Sequence, residues 1–246
     1  MTKLSVNLNK FALVRNARGN NMPDISDIAQ KCINYGANGI TVHPRPDQRH
    51  TRFDDVILLA TLLRPQSGIE FNVEGNPQPQ FMELVERALP DQCTLVPDDP
   101  GQLTSDHGWN LTVNGEQVKP IIRSLKQHGI RVSLFVDPIP EQIRLARDLG
   151  ADRVELYTAA YASAFNTPDK DRVLEQYASA GQWALRYGIE LNAGHDLDLQ
   201  NLGCFLSNVP GVMEVSIGHA LVCESFEYGL AETIRRYKRI IEASYA

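Results

Sequence analysis

The feature that most constrains this chain is a unit that recurs along it: an amphipathic helix, a glycine, then a short apolar strand. It reads as "CINYGANGITV", "LKQHGIRVSLFV", "ARDLGADRVELY" and "ALRYGIELNAG". Gly36, Gly129, Gly150 and Gly188 fall where a helix needs a left-handed closing residue. The runs that follow are nearly continuously apolar, which suits parallel strands covered on both faces. Strands are expected around Leu4–Leu8, Gly39–His43, Ile69–Glu74, Cys93–Pro97, Arg131–Asp137, Arg153–Thr158, Ile189–Gly194 and Met213–Gly218. Helices fill the gaps. The one after strand 1 begins at Asp24, a good cap, and carries Ile25, Ile28, Ala29, Cys32 and Ile33 on one face. The last runs from about Ser225 to Ser244, with Leu230, Ile234, Tyr237 and Ile241 at helical spacing. Eight alternating units in 246 residues have the size and rhythm of a (β/α)8 barrel, an α/β TIM barrel with extra helical segments and a single domain over residues 1–246. A doubly wound open sheet is the alternative, but it would usually show a glycine-rich first turn, which is missing.

Composition narrows the partners. Hydrophobic content of 43% with 22% charged residues is ample for a large core. No apolar run approaches the roughly 18 residues of a membrane span, and "MTKLSVNLNK" has no apolar signal region, so a cytoplasmic protein with no membrane partner is expected. The net charge of −6 argues against nucleic acid as a partner. Residues 1–64 nevertheless hold nine Lys or Arg against five Asp, which fits a small anionic ligand. Cys32, Cys93, Cys204 and Cys223 are widely spaced in apolar stretches and read as reduced core cysteines.

In such barrels the chemistry gathers at the C-terminal ends of the strands. Strand 1 ends in Asn7 and Asn9, then Lys10; strand 2 in His43 and Arg45; strand 3 in Asn72 and Glu74; strand 6 in Glu155. Strand 7 ends in Asn192 and His195, and strand 8 in Gly218 and His219. His50 follows in the stretch "GITVHPRPDQRH", where an apolar strand runs into two His, two Arg and two stiffening prolines. Clustered His and Arg suit proton transfer and anion binding. A lone His or Glu at a strand end is more often a packing or solvated residue, but independent packing residues would not all choose one end of a barrel. His128 instead reads as a helix C-terminal residue, and His107 lies in the segment Pro97–Val113, long enough to be a lid or binding loop. "NAGH" and "SIGH" close adjacent strands 7 and 8, the pair that often builds a phosphate site from backbone N–H groups. Metal is the competing use of His43, Glu74, His195 and His219; no pre-formed His pair supports it, and the neighbouring arginines oppose it.

With these residues in hand, the sequence resembles the pyridoxine 5′-phosphate synthase family, the ring-closing enzymes of vitamin B6 synthesis. The likeness runs end to end, through "RNARG" (Arg15–Gly19), "GITVHPRPDQRH", "LVP" (Leu95–Pro97), "VSLF" (Val132–Phe135), "NAGH" (Asn192–His195) and "IGHA" (Ile217–Ala220). The resemblance implies a (β/α)8 barrel assembled as a homo-octamer, with no metal and no organic cofactor. It implies condensation of 1-deoxy-D-xylulose 5-phosphate with 3-amino-2-oxopropyl phosphate to pyridoxine 5′-phosphate, phosphate and water, by successive proton transfers. Carried over by motif, His43 and Glu74 are bases, His195 is the acid and Glu155 stabilises charged intermediates. Arg45, His50 and Thr104 would hold the deoxyxylulose phosphate. Asn7, Arg18, Gly218 and His219 would hold the amino-oxopropyl phosphate.

Three positions depart from the commonest family pattern: Asn9-Lys10 where Asp-His is usual, Asp196 where glycine follows "NAGH", and Ala159 after Thr158. Lys10 can still bind phosphate as a point charge. Asp196 would repel a phosphate, so its side chain is expected to turn away and leave its backbone N–H for substrate. Two other classes stay open: another phosphosugar barrel, such as an isomerase or epimerase, or a non-catalytic barrel that binds a phosphorylated metabolite.

Overall fold

A computed structural model describes residues 1–99, 101–102 and 104–245; Pro100 and Leu103, within the long segment Pro97–Val113, lie outside the described residues. Eight strands alternate with helices: β1 Lys3–Asn7, β2 Gly39–Val42, β3 Glu70–Gly75, β4 Gln92–Leu95, β5 Arg131–Val136, β6 Arg153–Leu156, β7 Glu190–His195 and β8 Val212–Ile217. All pair in parallel with their sequence neighbours, and β1 also pairs with β8, from Lys3 opposite Glu214 to Val6 opposite Ile217. That closure makes a (β/α)8 barrel and rules out the open sheet. The helices are α1 Asn9–Asn16, α2 Ile25–Asn34, α3 Phe53–Leu63, α4 Pro79–Ala88, α5 Leu111–Gln127, α6 Pro140–Asp148, α7 Ala159–Ala164, α8 Lys170–Tyr187, α9 Leu202–Asn208, α10 His219–Tyr228 and α11 Leu230–Ala243. None is long and apolar enough to cross a membrane.

Asp24 caps α2 as expected, its carboxylate accepting from the Ser26 and Asp27 N–H groups. Two expectations about helices are corrected. The segment after strand 1 holds a further helix, α1, so Lys10 lies on a helix rather than in a strand-end loop. The single closing helix over 225–244 is two helices, because Gly229 at φ 75°, ψ 147° breaks the run between α10 and α11.

Strand apolarity is also not continuous. Leu4, Val6, Ile40, Val42, Phe71, Val73, Val154, Leu156, Val215 and Ile217 are buried in the apolar core, alternating with buried Ser5, Thr41, Asn72, Thr94, Ser133, Glu155, Asn192, Glu214 and Ser216. The polar set faces the barrel interior, since its neighbours reach across strands that are not adjacent: Arg153 on β6 lies 3.7 Å from Glu70 on β3 and donates to Gln92 on β4. Inside, Ser5 and Thr41 hydroxyls meet at 2.7 Å and Thr94 donates to Asn72 at 3.0 Å, while the Ser133 and Ser216 hydroxyls and the Asn192 side-chain oxygen have no partner among the described residues. The cysteines divide: Cys32 and Cys93 are buried as expected, Cys204 is half-buried, and Cys223 is exposed on α10, which corrects its placement in the core.

Candidate active site

The loop after β2 is held from below by α1. Arg15, almost fully buried, grips both oxygens of Asp55 at 2.6 and 2.8 Å and donates to the His50 carbonyl. Asn16 donates to the Arg49 and His50 carbonyls at 3.0 and 2.7 Å. Asn9 braces the same loop from the start of α1: its carbonyl oxygen accepts from the His43 backbone N–H at 2.9 Å and from the Thr51 hydroxyl at 2.8 Å. The "RNARG" motif therefore begins as a clamp on the His43–His50 loop. Arg18, at its far end, is exposed in the turn after α1, while Lys10 is half-buried and close enough for its charge to act on His50.

His43 and Glu74 face one another, with Nδ1 and Oε2 4.0 Å apart and both side chains buried. Their environments push in opposite senses. Burial, then the charges of Arg45, His50, His195 and Arg49, holds His43 well below the usual histidine range. Burial, then the carboxylates of Glu155, Glu214 and Asp98, holds Glu74 well above the usual carboxyl range. The two environments thus favour a neutral His43, fit to act as a base, and oppose the charge of an ionised Glu74.

Below them Glu155 is buried in register between Phe135 and Asn192, and burial followed by the charge of Glu214 raises its carboxyl to about 8. Asn72 donates to Glu74 at 3.3 Å. His50 accepts the Thr51 N–H at Nδ1, 3.0 Å, which leaves the ring proton on Nε2. Burial and the charges of Arg45, Lys10 and Arg49 push His50 down to about 4, so near neutral pH it is an uncharged donor.

Arg45 is not free. Its guanidinium is buried against Asp98 at 2.5 Å and donates to the Gln102 carbonyl at 2.9 Å. Asp98 also accepts from Ser105 at 2.6 Å, while its second oxygen, Oδ1, has no partner among the described residues. These contacts pin the segment after β4 onto the loop after β2. Trp109 fastens its other end, donating from the ring to the Leu95 carbonyl and from the backbone to Phe135. The segment thus lies over the site and brings Thr104 to His195, hydroxyl to Nε2 at 3.1 Å.

His195 closes β7 with a left-handed backbone, φ 53°, against the edge of the Tyr157 ring. Gly194 before it is required by space: a Cβ there would stand 2.4 Å from the Ser216 carbonyl oxygen and 3.3 Å from Glu155 Oε1. The Asp196 carboxylate folds back onto His195 Nδ1 at 2.7 Å, a partner the sequence reading did not include, because the left-handed turn swings the two side chains together. Gly218 caps α10 and packs on Asn7, where a Cβ would lie 3.1 Å from the Asn7 Cβ. His219 is exposed at the first turn of α10, its Nε2 3.6 Å from Cys223 Sγ. Among the described residues no three His, Cys, Asp or Glu side chains are gathered as a metal-ligand set.

The structure thus brings His43, Glu74, Glu155, His195, Arg45, His50 and Thr104 to one end of the barrel, while Arg18 and His219 stand exposed at its margin. Sequence reasoning missed Asp98, Asp55 and Glu214, and named Arg15 only as the start of the "RNARG" motif, without its role as a clamp. Of the three missed, only Glu214 had a local signal, as the one acid in the alternation of β8.

The family described as "Pyridoxal phosphate biosynthesis protein PdxJ" matches residues 4–243. The chain belongs to that family. A pyridoxine 5′-phosphate synthase of Albidiferax ferrireducens is 50% identical over 245 residues, covering 98% of this chain and 97% of that protein. One of Bacteroides fragilis is 50% identical over 241 residues, covering 98% of this chain and 100% of that protein. Among solved structures, thiamine phosphate pyrophosphorylase from Pyrococcus furiosus superposes with a TM-score of 0.64 over 100% of this chain and 97% of that one, at 13% identity. That similarity concerns the barrel fold alone.

Proposed function

We infer that this chain is a pyridoxine 5′-phosphate synthase, condensing 1-deoxy-D-xylulose 5-phosphate with 3-amino-2-oxopropyl phosphate. One observation carries the reading. His43, Glu74, Glu155 and His195 stand at one barrel end, in a chain 50% identical, end to end, to proteins named for that activity. The amine attacks the ketone to form an imine, one phosphate is eliminated, water is added and lost, and the ring closes. Every step moves protons, so several acids and bases around one cavity are needed. The neutral His43 takes the first proton, Glu74 acts as a second base, and Glu155 answers charge that develops beside it. His195 is the acid. The uncharged His50 donates to the deoxyxylulose phosphate with Arg45 and Thr104; Asn7, Arg18, Gly218 and His219 receive the other phosphate.

In this variant, with Asn9-Lys10 after strand 1, Asn9 braces His43 and Lys10 holds a phosphate or hydroxyl as a point charge. The protein works in the cytoplasm as a homo-oligomer, an octamer by family resemblance, on small phosphorylated substrates and without a cofactor. The test is to mix pure protein with both substrates and follow the pyridine chromophore. Formation is expected, unchanged by a chelator. No chromophore would refute the synthase reading, and loss with chelator would mean that the ring-closing reaction needs a metal.

A further inference from the structure

We propose that Asp196 is a positioning residue for His195: its carboxylate accepts the Nδ1 proton and thereby fixes Nε2 as the edge that meets the substrate. The proposal rests on the reading of His195 as the acid of the synthase reaction. It begins with bonding rules. A carboxylate can only accept, so at an Nδ1–Oδ2 separation of 2.7 Å the ring proton must be on Nδ1. In the neutral ring Nε2 is then a bare acceptor, and Thr104 supplies the matching hydroxyl at 3.1 Å. When the ring is protonated, Nε2 carries the proton that faces the cavity, and Asp196 lies behind it as a counter-charge. The hydrogen bond from His195 opposes the cost of burial and keeps the Asp196 carboxyl below its ordinary range, so it stands behind the ring as an anion.

The geometry is held from several sides. The φ of 53° at His195 turns the ring and the Asp196 side chain toward each other, and Tyr157 and Phe135 flank the ring with centroids 5.5 and 6.5 Å away. Thr158 donates its hydroxyl to the Gly194 carbonyl, fixing the strand end that carries both residues. Asn201 donates to the Asp196 carbonyl at 3.2 Å, tying the following turn. The charged and titratable groups around the pair are His43 from the β2 end, His219 from α10, Tyr157 after β6, Glu155 behind Gly194, and Asp106 and Asp137 beyond Tyr157. Of these groups only Asp196 touches Nδ1. The arrangement separates two duties: Asp196 sets which nitrogen is protonated, and Nε2 performs the transfer. Removing the carboxylate should therefore change proton delivery rather than substrate affinity.

The test has an arm that does not depend on activity. In protein labelled with 15N at histidine, the side-chain nitrogen signals of neutral His195 should report a proton on Nδ1 and none on Nε2, and Asp196→Asn should abolish that preference. In turnover, Asp196→Asn should lower kcat about tenfold with KM for both substrates changed less than about twofold, within the range for a partner behind a reacting imidazole. Asp196→Glu should restore part of kcat and of the Nδ1 preference. A neutral His195 protonated at Nε2 in the wild type would overturn the proposal. So would an Asp196→Asn enzyme with raised KM and unchanged kcat. If the wild type makes no product at all, the synthase reading fails while the nitrogen signals still decide the role of Asp196.

Discussion

At His43 burial and the surrounding cations oppose protonation, while at Glu74 burial and the surrounding carboxylates oppose ionisation. Both shifts disfavour the charged forms that the two groups would have in water. His43→Ala, Glu74→Gln and His195→Asn should each reduce turnover by about 10²–10⁴-fold, the usual worth of a positioned acid or base, with KM moving less. Steady-state kinetics on both substrates checks this, and near-normal turnover in any one variant removes that residue from its role. These groups were legible in the sequence because a strand end is a local feature, and in a barrel all strand ends share one rim. Asp98 was not legible. Its partner Arg45 lies 53 residues away on another loop, and nothing in the periodicity of either stretch marks the pairing. The contact of Asp196 with His195 was not legible either, because it depends on the left-handed turn at His195, which no residue pattern marks.

Among the elements, those with an apolar stripe were readable and those without one were not. In α2 the stripe of Ile25, Ala29 and Cys32 and the Asp24 cap declare the helix. In α1 the buried face is Ala12 and Arg15, a small residue and a cation, while Leu13 and Val14 are exposed, so the pattern of "NKFALVRN" misleads. The fusion of α10 with α11 had a different origin. Helical spacing persists across the junction, and only the backbone of Gly229, at φ 75° and ψ 147°, interrupts it. That region is open almost only to glycine, and a Cβ added there would meet nothing within 4 Å. The cost of substitution is thus purely one of backbone strain. Gly229→Ala should destabilise the protein by about 1–3 kcal/mol, read as a lower urea midpoint at unchanged slope. An unchanged midpoint would mean that the junction relaxes into one continuous helix.

Over the whole molecule, the barrel interior carries a stack of carboxyls rather than the branched apolar layers usual in this fold. At the N-terminal end Glu70 is met by Lys3, Arg131 and Arg153; burial pushes its carboxyl up, but these cations bring it below the ordinary value. Higher up, burial and the charge of Glu70 raise Glu214 to about 7, and burial and the charge of Glu214 raise Glu155 to about 8. The eight-strand frame was readable because outward-facing residues keep the apolar signal, whereas the inner polar layer appears in sequence only as interruptions of it. The stack sets how stability responds to pH. Glu155 and Glu214 are raised in the folded state, so their contribution is fully present below the unfolded carboxyl value of about 4.3 and is lost as pH rises through 7 and 8. Glu70 is depressed and has the opposite sign, but its window lies below the unfolded value. His43 and His50, also depressed, add stability as pH rises only up to about 6.5. Between pH 6.5 and 8 the raised carboxyls, Glu74 among them, all act in one direction, and the wild type should lose stability there. Glu155→Gln, a neutral isostere, should flatten that loss by about 1–2 kcal/mol, since one proton per molecule no longer has to be released over that interval. Urea midpoints of both proteins at pH 6.5 and 8 test it. Parallel wild-type and variant losses would mean that Glu155 is already ionised in the folded barrel at neutral pH, and that the interior stack carries charge rather than protons.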